Sequence, residues 1–348
     1  MRKYVFSALL LGLFLFAADA AFAWRGEVGW TFHAENGISS GVAVSGALAV
    51  FGDTTGTLYA VQRASGQLAW SYHGTNTIVG TPTLTSDKVF FAQEDGTLTC
   101  LALSSGAEVW RVTPSESGSG AETVLDGVAV GDGKVFVSKG DGKLYALSAA
   151  NGSKVWAYTS EEELRSAPAF GEGYVFLGEQ IGKLSFIDPK TGTRVTGGGA
   201  GGPVNTPAIK DGMLFFSSWD GSVQGVKLKG VVPQWKTNVQ DPVTTAPTLG
   251  EGKVFVGTAR GNVAALDAKS GEILWQFNTQ GGSVSACPVC AEGLVFAGGG
   301  QGVLSILDAR TGKLRSTFTT GTGIVGTPAF DGGVLYLGSG DGNLYAIM

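Results

Sequence analysis

The chain has 348 residues, of which 43% are hydrophobic and only 15% charged, with 56 Gly and 11 Pro, and this excludes a disordered or low-complexity polypeptide. A net charge of −5 with no Lys/Arg cluster excludes a nucleic-acid binder, because nothing supplies the field that neutralises phosphates. Short runs rich in Val, Phe, Leu and Tyr, separated by Gly-containing turns and lacking a 3.6-residue period beyond the first twenty-odd residues, predict strands almost throughout.

The first segment is a separate device. Met1-Arg2-Lys3 is positive, Tyr4 to Ala18 is apolar, and Ala21-Phe22-Ala23 has the small-x-small form of a cleavage site. This predicts a secretory signal peptide over residues 1–23, with Trp24 opening a mature chain of residues 24–348. The apolar run is short for a bilayer span, which needs about 20 residues. No Cys stands at the cleavage point to carry a lipid anchor. The expected product is soluble, without a direct membrane span, in a periplasm or outside the cell.

The rest of the chain repeats. A turn Gly followed by a strand recurs at Gly56, Gly96, Gly142, Gly182, Gly221, Gly261, Gly302 and Gly342, with gaps of 40, 46, 40, 39, 40, 41 and 40 residues. Each unit reads as four strands, A to D. In the second unit they fall near Thr81–Leu84, Val89–Gln93, Thr97–Leu103 and Glu108–Val112. Asp-Gly pairs such as Asp95-Gly96 and Asp341-Gly342 turn B into C, since both residues tolerate positive φ. Ser-Gly, Asn-Gly or Thr-Gly turns C into D, as at Ser270-Gly271. Pro82, Pro168, Pro207, Pro247, Pro288 and Pro328 fall in strand A, which places A at an edge, the innermost one around a channel.

The last unit stops at Met348 after its strand C, and Gly26 to Phe32 matches a strand D such as Gly271 to Phe277. The expected fold is therefore an all-β, eight-bladed β-propeller of four-stranded antiparallel blades. Its ring is closed by the N-terminal strand completing the C-terminal blade, which removes an open sheet edge.

The run Ala265-Leu266-Asp267-Ala268-Lys269-Ser270-Gly271-Glu272-Ile273-Leu274-Trp275 resembles the tryptophan-docking repeat of PQQ-type quinoprotein propellers, with looser copies at Leu307–Leu314 and Gly106–Trp110. The likeness covers the whole mature chain. It is most similar to the branch of outer-membrane protein assembly factors typified by BamB, whose members carry a lipidated Cys that this chain lacks. The resemblance implies a non-catalytic protein-binding scaffold without a cofactor, with exported or outer-membrane proteins, including a barrel-assembly machine, as partners. The alternative it carries is a PQQ-dependent dehydrogenase or PQQ-binding periplasmic protein. Those enzymes use calcium held by acidic and amide side chains and often an adjacent Cys-Cys pair, and no adjacent cysteines occur here.

Slot-by-slot comparison sorts the side chains that could carry chemistry. Trp30, Trp70, Trp110, Trp156, Trp235 and Trp275 share one strand-D slot and read as docking between blades; Thr196 and Ser316 fill the other two, where weaker interfaces are expected. His33 and His73 stand three residues after a docking Trp, at a polar strand end, and read as structural. Cys100, Cys287 and Cys290 fill small or apolar slots. Residues three apart in a strand face opposite ways, so Cys287 and Cys290 do not form a natural metal pair, although a strained bridge between them stays open. Gly197 to Gly202 lacks the following Lys-Ser or Lys-Thr of a phosphate loop and reads as a flexible D–A connector.

Trp219 is the exception, because the other seven B–C turns hold Thr54, Glu94, Gly140, Gln180, Ala259, Gly300 and Gly340 there. D–A connectors and B–C turns should share one face of the disc. That face collects Trp219, Arg165, the acidic run Glu161-Glu162-Glu163, Arg260 and the long connector Thr113 to Thr123 as a candidate partner surface. No catalytic, cofactor or metal residues are expected.

Overall fold

Strands B and C of each unit are nearly continuous apolar runs, such as Lys88–Gln93 and Leu98–Ala102, and they are buried along almost their whole length. A strand that alternates has one wet face; one that does not is covered on both. Strand D, as in Leu68–His73, alternates between exposed and covered positions. These two patterns together require blades stacked side by side, with B and C between neighbours and D on the outside.

The computed structural model, described over residues 24–114, 124, 126–164 and 166–348, has this architecture. Its described residues form eight four-stranded antiparallel sheets and no helix. The first blade comprises Ala43–Ser45, Leu48–Gly52, Thr57–Gln62 and Leu68–His73. The eighth comprises Ala329–Asp331, Val334–Gly338 and Asn343–Ile347, and its strand D is Val28–His33. Trp30 pairs with Ala346 and Phe32 with Leu344, so the first strand closes the ring. The predicted signal peptide, the connector stretch 115–123 and Arg165 lie outside the described residues.

Proline placement differs from the expectation. Pro168, Pro207, Pro247, Pro288 and Pro328 stand one residue before their strands A, which begin at Ala169, Ala208, Thr248, Val289 and Ala329. Only the longer Ile78–Leu84 contains its proline, and there the register shifts between Val79 and Thr83 around Pro82. Proline has no N–H for the ladder, so it is tolerated ahead of a strand or inside a bulge.

The six strand-D tryptophans make one contact repeatedly. Each indole N–H donates to a carbonyl in the C–D turn of the next blade, from Trp30 to Arg63 at 2.9 Å through Trp275 to Ala309 at 3.1 Å. The ring lies on the turn glycine. At Gly106, with φ +70°, a Cβ would come within 2.6 Å of the Trp70 ring, so both conformation and contact require glycine.

The two exceptions are filled by other means. Where strand D carries Trp, its cross-strand partner on C is small: Ala60, Cys100, Ala146, Gly225, Ala265 and Ala346. Thr196 instead faces Phe186, and Ser316 faces Ile306. The volume is exchanged across the pair, as a close-packed interior demands. Phe186 also joins Tyr174 and Phe176, with ring centroids 4.8–6.2 Å apart. The seventh blade has a second substitute. Trp24 packs edge-on against Phe296 at 5.2 Å, matching the Trp110–Phe90 and Trp275–Phe255 pairs of other blades. The expected weakness at these interfaces is therefore offset.

Trp24 lacks one feature of the other docking tryptophans, for its buried Nε1 has no acceptor. A buried unsatisfied N–H costs about 1–3 kcal/mol. Trp24→Phe should thus leave thermal stability equal or higher, whereas Trp24→Ala should lower it by about 2 kcal/mol, less than for a fully buried ring. Equal losses from both, read in denaturant melts, would contradict this packing role.

The turns also predict an acid response. The Asp308 carboxyl is held well below the usual range by Thr311 and by the Arg315 guanidinium, and Asp267 is lowered chiefly by the Ser270 N–H. A depressed folded pKa gives stability that is complete above the unfolded value, near 3.9, and is lost as pH falls through the folded one. Tm should be flat from about pH 7 to 5 and drop below about pH 4. Asp308→Asn should flatten that drop, and a decline already present between pH 7 and 6 would contradict the assignment.

Candidate functional site

Each B–C turn is built locally. The Asp220 carboxylate accepts the Ser222 N–H at 2.9 Å, Gly221 takes φ +83°, and the Gly221 carbonyl receives Val239 N–H from the start of the next connector at 2.9 Å. The same bond recurs from Gly74 to Gly56 and from Thr320 to Gly302. B–C turns and D–A connectors therefore share one face.

On that face Trp219 is 56% exposed, its backbone N–H donating to Pro203 at 3.1 Å. Its indole borders the mouth of the central channel and a second hollow of about 250 Å³ with Gln180, Pro203, Val204 and Asn205. Glu161, 80% exposed, accepts from Lys183 Nζ at 3.2 Å, and this bond raises the lysine pKa. Glu162 donates its N–H to Ser160, and Glu163 offers its carbonyl to Gln180. The Arg260 guanidinium, 78% exposed, stands 3.8 Å from the buried Asp241. These residues lie in an arc on consecutive blades, not in one cluster, and Arg165 is outside the described residues.

The central channel, about 630 Å³, is lined by small side chains at the inner ends of the blades: Thr81 within its strand A, and Ala167, Thr206, Ala246, Cys287 and Thr327 two residues before theirs. Asp126 also lines the channel, where surrounding protein desolvates its carboxylate and raises its pKa against the lowering hydrogen bond from the Gly127 N–H. It is the single carboxylate among the described lining residues.

All three cysteines are free thiols. Cys287, two residues ahead of strand Val289–Ala291, faces the channel, whereas Cys290 within the strand lies against Gly250 of the preceding blade, so the two thiols point to different surroundings. Burial pushes Cys100 and Cys290 up to about 11, and Cys287 is raised by the same cause, which leaves them poor nucleophiles. His33 bonds its cross-strand partner Asn343 at 3.0 Å, and His73 bonds Thr57 at 3.2 Å. No three His, Cys, Asp or Glu side chains converge on a metal site among the described residues. The Asn205 amide N–H groups are committed to Ser217, Val243 and Thr245. Among the described residues the channel lining offers one carboxylate, Asp126, and one amide with its N–H groups committed, Asn205, which does not match a calcium and quinone held by several acids and amides.

No helix among the described residues is long and apolar enough to cross a membrane. A solved BamB from Moraxella catarrhalis superposes with TM-score 0.79 at 20% identity, covering 92% of this chain and 98% of that one. The computationally designed Ika8 protein reaches 0.79 at 17% identity, covering 91% and 98%. Quinohemoprotein alcohol dehydrogenase from Comamonas testosteroni reaches 0.76 at 14% identity, covering 92% and 76%. At such identities these likenesses establish the fold alone. Among curated proteins, lupanine 17-hydroxylase [cytochrome c] from Pseudomonas sp is 41% identical over 63 residues, 15% of this chain and only 9% of that protein's length. The family model described as "Outer membrane protein assembly factor BamB" matches residues 17–118, 94–196 and 197–348, so the chain belongs to that family.

Proposed function

We propose that this protein is an exported, non-catalytic scaffold that docks envelope proteins and assists the assembly of outer-membrane β-barrels. The observation that carries the reading is Trp219, a large exposed indole on a rigid turn where the seven sister turns hold smaller or more polar residues. Exposed aromatics on rigid scaffolds are typical anchors for a partner. Asp126 as the single carboxylate among the described channel-lining residues, together with the raised thiol pKa values, favours binding over quinone chemistry. Family membership favours a periplasmic site of action and a barrel-assembly machine as partner.

The test is crosslinking in the native envelope, with the captured proteins identified. Recovery of an outer-membrane assembly protein, abolished by replacing Trp219 and Arg165 together with Ala, is the expected result. Undiminished capture by that variant would overturn the surface, and recovery of only unrelated proteins would overturn the assembly role.

A further inference from the structure

The seam between the fourth and fifth blades differs from the other seven. Two positions beyond the docking slot, strand D elsewhere sends a side chain against the next blade. Phe32 meets Tyr59 at 5.6 Å, Tyr72 meets Phe91 at 5.9 Å, and Phe318 meets Tyr345 at 5.3 Å. Thr237 donates to the Gly271 carbonyl at 2.7 Å. In the fourth blade this position is Gly198, which is exposed and has open space where a Cβ would stand.

Gly199 is likewise without a side chain, whereas the Arg194 guanidinium lies over Gly197, so the outer end of strand Arg194–Gly199 is bare at its last two positions. Natural edge strands are normally blunted by bulky or charged side chains, and a bare edge is a template for pairing. The three most exposed large hydrophobic side chains of the described residues also belong to these two blades: Trp219 at 56%, Val195 at 54% and Ile181 at 53%. At the top of the seam Asp220 lies against Gly201. Burial alone would raise its pKa, but hydrogen bonds from Ser222 and Ser218 hold it below the usual range, so it is a fixed negative charge.

We propose that this seam is the docking site for an extended segment of a partner polypeptide with aromatic side chains at alternate positions and a basic residue at its Trp219 end. The segment adds a strand along Gly197–Gly199, and one aromatic ring takes the place that Gly198 leaves open. Its basic end meets the Trp219 face and Asp220. The sister blades define the chemistry, because most fill the same position with an aromatic or aliphatic side chain of their own. This inference rests on the docking role proposed above and names its partner's chemistry.

A labelled peptide alternating Phe and Thr with a terminal Arg, titrated by fluorescence anisotropy, tests it. The parent protein should bind saturably, and a Ser/Thr control peptide or one ending in Glu should bind about tenfold more weakly or not at all. Gly198→Phe, which fills the position internally, should lose about tenfold in affinity with its melting curve retained. Val195→Asp, a change on an exposed side chain, should lose binding similarly and guards against misfolding of the first variant. Equal affinity in parent and both variants, or no binding to the folded parent, overturns the seam. In envelope crosslinking, a native partner captured equally by Gly198→Phe and parent sinks the seam alone, whereas no partner captured by either sinks the docking role beneath it.

Discussion

Cys100→Phe and Trp110→Thr should each destabilise the protein, and the double variant should lose much less than their sum. Cys100 is fully buried and directly opposite Trp110, so a phenyl ring there has no space while the indole remains. Overpacking of this kind costs about 1–3 kcal/mol. Trp110→Thr removes a buried ring, at about 3–5 kcal/mol. Together the changes recreate the Phe186–Thr196 pair of the fourth blade. A coupling of about 2 kcal/mol in favour of the double variant is expected from a double-mutant cycle. Additivity within about 0.5 kcal/mol would show that the exchange of volume across strands C and D is not an energetic unit.

Deleting Trp24 to His33 should be the more damaging change. The segment supplies the fourth strand of the eighth blade, the Trp30 indole on the Gly66 turn, and Trp24 against Phe296. Phe32 also packs on Phe51 and Tyr59 of the first blade, so both sides of the closure are lost. The cost should exceed the ~3–5 kcal/mol of truncating one buried aromatic. Asn343–Ile347 would become an open edge, and self-association is the expected companion of lower stability. Calorimetry and light scattering read both effects, and an unchanged melting curve would contradict the closure.

Much of this was legible because the units can be laid over one another. The ring, the closing strand and the shared tryptophan slot follow from repeated glycines and from a last unit lacking strand D. The volume exchange was also visible in principle, since Phe186 and Ile306 stand in strand C of the two units without Trp. Seeing it requires knowing that a bulge beside the slot, as between Cys100 and Leu101, still leaves Cys100 opposite Trp110. Trp24 was not legible, because it precedes the first unit and has no counterpart to compare. Asp126 was missed for a related reason: it follows the longest connector, where inserted residues blur the register. The exposed position at Gly198 was hidden within a glycine run that reads, in one dimension, as a flexible connector, whereas Gly197 to Gly199 are the end of a strand D paired with Lys183 to Ser185. Its meaning depends on what seven other blades place against their neighbours.

Whether the proposed scaffold docks polypeptides without turning over a quinone is decided by titrating the purified protein with PQQ and Ca²⁺ beside a redox dye. No stoichiometric PQQ binding and no dye reduction are expected, since among the described residues the channel offers Asp126 as its one lining carboxylate and no neighbouring thiol pair. Tight one-to-one binding with substrate-dependent dye reduction would contradict the proposed scaffold.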